Sequence, residues 1–250
     1  MNIVDAFDVC LNEHELICLV GAGGKTTTMF ALAQALKSLN KRVLVTTTTN
    51  IFYPGDKECD TITVKDTADI GIFHAIPEGT ITVFGSGVVN EAKLAGVDKG
   101  FVEQLYQQEI FDCILVECDG SKQKPIKAPA HYEPIVPDNV TRAIGMIGLD
   151  AVGKPINEEY VHRVELFCNV VKRSPGEILD EEAVVNLIVS PQGLFKGVPD
   201  GCKKFVVLNK AENAQRRTYA ENILIRLMKR DYIPFTTCVI ASMTRNRVYL

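Results

Sequence analysis

The sequence predicts an α/β protein: a three-layer fold with a mostly parallel central sheet. Two observations carry this. Short apolar or β-branched runs alternate along the chain with longer amphipathic segments, the pattern of repeated βαβ units. The first run is joined to the first amphipathic segment by a glycine-rich turn at residues 21–24, a strand-to-helix punctuation. In order, the strands read as residues 15–20, 42–47, 61–64, 80–84, 113–117, 142–149, 204–208 and 236–241, each rich in apolar or β-branched residues and bounded by turn residues. The helices read as 25–39, 99–108, 158–168, 180–189 and 214–230. In the first of them Met29, Phe30, Leu32, Ala33 and Leu36 recur at helical spacing, and Asn40 ends it.

A chain of 250 residues can bury a sizeable core without staples. We read residues 1–250 as a single domain with loop insertions near 120–137 and 191–201, where Pro and Gly collect. A net charge of -4 and a pI near 5.7 lack the basic excess that phosphate-backbone binding needs, so nucleic acid is not an expected partner. No run approaches the ~20 apolar residues of a membrane span, and the first residues lack a signal-peptide layout. A cytoplasmic protein with no membrane partner is therefore expected. Of the eight cysteines, Cys18, Cys113, Cys118 and Cys238 fall in apolar strand-like runs, where Cys behaves as a buried hydrophobe. The four histidines are isolated, a poor spacing for zinc.

The glycine-rich turn carries the chemistry. Gly21, Ala22, Gly23, Gly24, Lys25, Thr26 and Thr27 follow an apolar strand and open a helix, so backbone N–H groups and a helix N-terminus would face an anion. Lys25 would reach the β- and γ-phosphates of a nucleotide, and the Thr26 hydroxyl would bind Mg²⁺. The full G-x-x-x-x-G-K-[ST] pattern would put its first glycine where Leu19 stands, so the loop is a variant. Glycine turns also serve packing, but packing does not call for the adjacent Lys-Thr.

A bound nucleotide with its metal needs a carboxylate at a neighbouring strand end. Glu117 and Asp119 close the 113–117 run, and their spacing of two points both to one side of an extended chain. Asp119 is the expected water-mediated metal contact and Glu117 the residue that orients a water, with Lys25 as their catalytic companion; plain strand-end acids are the alternative. Asn209, Lys210, Ala211 and Glu212 follow the next apolar run in the manner of a base-recognition loop. Asn-Lys-x-Asp reads guanine in GTP-binding proteins, and Glu212 here adds a methylene, so ATP and GTP both stay open. Thr48 or Thr49 is a further candidate for metal or phosphate, and Lys122, Lys124 and Lys127 for clamping an anion. His162 and Arg163 are expected on a helix, facing substrate or partner. Phe195 suits either a lid or a buried anchor.

Together these segments resemble the selenium-dependent molybdenum hydroxylase accessory proteins, the YqeC-like family of P-loop proteins. The resemblance rests on residues 20–27, on the threonines at 46–49, on 116–121 leading to Lys127, Ala128 and Pro129, on 148–155, 161–163 and 193–197, and on Leu208, Asn209 and Lys210. It implies a P-loop NTPase-like fold and a role in maturing molybdenum enzymes, with a molybdenum hydroxylase or a cofactor-maturation protein as partner and a homodimer as a further candidate assembly. The loop also resembles that of ATP-dependent ligases that phosphorylate a carboxylate. A ligase or kinase activating a small acid, and a non-hydrolytic switch docking through residues 191–201, therefore stand beside a slow Mg²⁺-dependent NTPase.

Overall fold

Alternate residues of the first strand, β1 (Glu15–Gly21), enter opposite cores: Leu16, Cys18 and Val20 pack in one apolar cluster, Ile17 and Leu19 in the other. A strand buried on both faces requires this two-residue alternation. The computed structural model describes residues 1–55, 57–66, 70–73, 75–90, 92–245 and 247–249; His74, one of the four histidines, lies outside them. After α1 (Ile3–Ala6) and β1 come α2 (Lys25–Ser38), β2 (Arg42–Thr47), β3 (Asn50–Phe52), β4 (Thr61–Val64), β5 (Thr80–Gly85), β6 (Gly87–Val89), β7 (Lys93–Ala95) and α3 (Lys99–Gln107). The second half holds β8 (Cys113–Glu117), β9 (Ile126–Lys127), β10 (Arg142–Gly148), β11 (Val161–His162), α4 (Val164–Val171), α5 (Glu181–Val189), β12 (Lys203–Asn209), α6 (Ala214–Leu227), β13 (Thr237–Ser242) and β14 (Arg247–Tyr249).

Nine strands form the central sheet in the order β14-β13-β12-β10-β1-β8-β2-β5-β4. All neighbours pair in parallel except the edge pair β13 and β14. Residues of α1 and α2 pack on one face, and residues of α3, α4, α5 and α6 on the other, which gives the three layers of a P-loop NTPase-like α/β fold. Two small sheets, β3-β7-β6 and β11-β9, lie outside it. Among the described residues no helix is long and apolar enough to cross a membrane.

Every strand the sequence predicts is present, with ends shifted by one residue at most. The predicted helix at 158–168 is not. Residues Val161 and His162 instead form β11, pairing with β9 so that His162 stands in register with Lys127. Arg163 then takes a left-handed backbone (φ 65°), and the helix starts only at Val164. The apolar spacing that suggested one helix belongs to two elements separated by that turn. Residues 191–201 are no free lid: Leu194, Phe195 and Val198 are buried in the core, and Leu194 packs beneath β1 and β10 at Gly21 and Gly145. Phe195 is thus a buried anchor.

Candidate functional site

Strand β1 is the point where the sheet reverses its direction of growth. The chain places β8 and β2 on one side of it and β10, β12 and β13 on the other, and such a switch point opens a crevice at the carboxyl ends of the strands. The glycine-rich turn lies there, between β1 and α2. Gly23 (φ 89°) sits so near Gly148 and Pro125 that a Cβ would collide with the Gly148 backbone, and at Gly24 (φ 125°) one would collide with the Asn209 amide. Only glycine combines this backbone with this closeness. Gly24 also serves as the N-cap of α2 and supplies no side-chain hydrogen bond, and the first turn holds no acidic residue. Helices α3, α5 and α6 are capped by the side chains of Asp98, Asp180 and Asn213. The start of α2 therefore has no side-chain cap and no acidic residue of its own, the setting in which a helix start accepts phosphate.

Around this turn runs a buried chain of alternating charge. Lys25 donates to Gly21 O at 2.7 Å and lies 3.2 Å from Asp119 Oδ1 and 3.5 Å from Glu117 Oε1. Thr26 Oγ1 donates to Glu117 Oε2 at 2.7 Å. Asp119 Oδ2 accepts from Gly21 N at 3.1 Å and pairs with Lys127 Nζ at 2.9 Å. Lys127 also donates to Gly120 O at 2.7 Å and to Glu133 Oε2 at 2.6 Å, so its three donors are all used. Glu133 in turn takes both guanidinium nitrogens of Arg163, at 2.7 and 2.8 Å. Burial alone would lower the Lys25 pKa, but Asp119 and Glu117 outweigh it and hold the ammonium above its ordinary value. Burial raises Glu117, against the pull of Lys25 and Thr26. Asp119 Oδ1 is buried without a hydrogen-bond donor, which leaves an acceptor directed at Lys25 alone.

At the other end of the turn the buried tie is neutral and the charged ties are part-exposed. Asn209 Nδ2 donates to Gly23 O at 2.8 Å, and its Oδ1 accepts from Met243 N at 3.0 Å, so one buried amide joins the turn to the end of β13. Lys210, also left-handed (φ 65°), reaches Asp150 at 2.7 Å. Glu212 accepts from Ser242 Oγ at 3.1 Å, from Thr244 Oγ1 at 3.4 Å and from Arg216 Nη1 at 2.7 Å.

Of the expected residues, the turn from 21 to 26 meets Glu117, Asp119 and Asn209, whereas Thr27 is exposed and Lys210 is turned to Asp150. Thr48 does not point to it: its hydroxyl donates to Ile135 O at 2.8 Å, while Thr46 and Thr47 donate to Phe84 O and Glu117 O. Lys127 is a buried brace for Asp119, not a surface clamp; Lys122 is exposed. Glu133, Asp150, Ser242 and Thr244 were not singled out from the sequence. Their signal is long-range, since Glu133 and Asp150 matter only through the lysines they meet. Cys118 is buried, and burial pushes its thiol well up, so it is no thiolate. Among the described residues no disulfide joins the cysteines.

Comparison with known proteins gives the chain a family. The model of the family described as "YqeC protein" matches residues 17–165, a span that holds the glycine-rich turn, both strand-end carboxylates, Lys127 and Glu133. A protein of Escherichia coli strain K12, named "Uncharacterized protein YqeC", is 33% identical over 217 residues, covering 86% of this chain and 84% of its own. The chain belongs to the YqeC family.

Proposed function

We propose that the chain is a Mg²⁺-dependent nucleotide-binding protein, taking ATP or GTP, with slow NTPase activity. The observation that carries this reading is the uncapped start of α2 behind Gly23 and Gly24, with Lys25 and Thr26 set against Glu117 and Asp119. Phosphates on those N–H groups would draw Lys25 from its carboxylates by Coulomb attraction. The donor set around Thr26 is all oxygen, which suits Mg²⁺. That metal would neutralise charge developing on the phosphates.

The sequence reading gave the metal to Thr26 and Asp119. The distances favour Glu117 beside Thr26, with Asp119 held back by Gly21 N and Lys127. In this reading Lys25 binds phosphate, and Glu117 and Asp119 position metal and water. The resemblance to accessory proteins of molybdenum hydroxylases supplies the biological step, so we place the nucleotide cycle in the maturation of such enzymes. A ligase or kinase reading keeps one support of its own, the half-buried His162 in register with Lys127, where an acidic acceptor could sit.

Calorimetric titration with ATP and GTP, with and without Mg²⁺, tests the reading. Micromolar binding that needs Mg²⁺ is expected, and Lys25→Ala should abolish it while the circular dichroism of the fold persists. A Lys25→Ala protein that binds as tightly as the parent would falsify the site. Glu117→Gln should remove the Mg²⁺ dependence more fully than Asp119→Asn; the reverse order returns the metal to Asp119.

A further inference from the structure

We propose that the nucleotide's base is guanine and that Glu212 reads it, an inference that rests on the nucleotide-binding reading above. Asn209 fixes where a purine would lie. Its amide spends one N–H on Gly23 O and keeps the second, which N7 of either purine can accept. Asn209 therefore sets the position of the ring without choosing between bases.

The choice falls to Glu212. Ala211 N donates to Ala241 O at 3.0 Å, and Asn213 caps α6 by accepting from Arg216 N at 2.9 Å. Residue 212 is thus pinned between two anchored neighbours, beside the β13 end that also receives Asn209. Its side chain is 20% exposed. All its partners donate: the hydroxyls of Ser242 and Thr244 to Oε1, and Arg216 to Oε2. These hydroxyls hold the longer glutamate arm at the corner where an aspartate would need no such guide. The carboxylate presents only acceptor lone pairs, about four in all; three donors hold it, so a base bringing two donors takes the open site and displaces the long Thr244 contact at 3.4 Å.

Guanine offers two adjacent donors on its pairing edge, N1–H and the 2-amino group. Adenine offers a lone pair at N1 and a C–H at C2. Against this carboxylate guanine gains charge-assisted hydrogen bonds, whereas adenine sets an acceptor against an acceptor and leaves the acid unmatched.

The test is titration of the full chain, with Mg²⁺, by GDP, IDP and ADP. We expect GDP to bind about 100-fold or more tightly than ADP, with IDP between them because it keeps N1–H and lacks the 2-amino group. Glu212→Gln should bring GDP to within about threefold of IDP, and Glu212→Asp should retain the preference for GDP. If the unaltered protein binds ADP as tightly as GDP, guanine is the wrong base and the nucleotide reading stands. If GDP keeps its full advantage in Glu212→Gln, Glu212 is not the reader. If no diphosphate binds, both readings fall together.

Discussion

The two ends of the crevice are built differently. At the glycine-turn end Lys25, Glu117, Asp119, Lys127 and Glu133 are all buried and meet as alternating charges. At the other end the ion pairs Lys210–Asp150 and Arg216–Glu212 have side chains about one-fifth to one-third exposed, and the buried member is the neutral amide of Asn209. Buried charges hold position at the cost of desolvation, so losing one partner strands the other. Part-exposed pairs are screened by water and contribute little. The glycine-turn end is therefore bound up with the stability of the fold, while the part-exposed pairs at the other end can be altered with little structural consequence.

Lys127→Met should break this contrast most sharply. The substitution keeps the volume and removes the charge between Asp119 and Glu133, and we expect a loss of about 3–5 kcal/mol of stability in urea denaturation. Arg216→Ala, which removes a cation from the other end, should cost under about 1 kcal/mol. Equal losses would mean that the two ends do not differ in the way their burial indicates.

Asn209→Ala sharpens the comparison, because this residue touches both ends. It frees Gly23 O and Met243 N, two buried groups whose lost partners cost about 1–3 kcal/mol in stability. Affinity for GDP and ADP should fall by a similar factor, since the N7 acceptor assigned to the spare Asn209 N–H is common to both purines. A variant that weakens one nucleotide alone would assign Asn209 to base selection instead.

The same division explains what the sequence disclosed. Strand positions were legible because burial on both faces imposes near-continuous apolar runs, as in β1, β8 and β12. The glycine-rich turn was legible because its glycines, lysine and threonine are contiguous. The braces were not. Lys127 meets Glu133 across a local turn, but it meets Asp119 only because β9 folds back beneath β8, and Glu212 meets Ser242 and Thr244 from 30 residues or more away. Short elements such as β9 and β11 have two residues each, too few for any period to show. The helix expected at 158–168 failed at Arg163, whose left-handed backbone no apolar pattern signals.

His162 offers the smallest effect and a probe of the border between the buried network and solvent. It is half-buried in β11; burial first, then Arg163, Lys127 and Lys122, lower its pKa from 6.5 to about 4, with Glu133 opposing. The unfolded chain takes up this proton near pH 6.5 and the folded chain only near pH 4, so the unfolded state binds more protons in between. Stability should be full above pH 6.5, fall as the pH drops from 6.5 towards 4, and level off below, where both states are charged. Because solvent reaches the ring, the loss should be about 1 kcal/mol, or about 2–4 °C in Tm. Glu133, held below its ordinary 4.5 by Arg163 and Lys127 against burial, loses its contribution only as the pH falls through that lower range. Above pH 4.5 the burial-raised Glu117 works in the opposite sense, so the His162 share is the part of the slope between pH 4.5 and 6.5 that His162→Gln removes. An imidazole that titrates near 6.5 by NMR, with the slope unchanged in the variant, would place His162 in open solvent and outside the reach of the Lys127–Glu133–Arg163 chain.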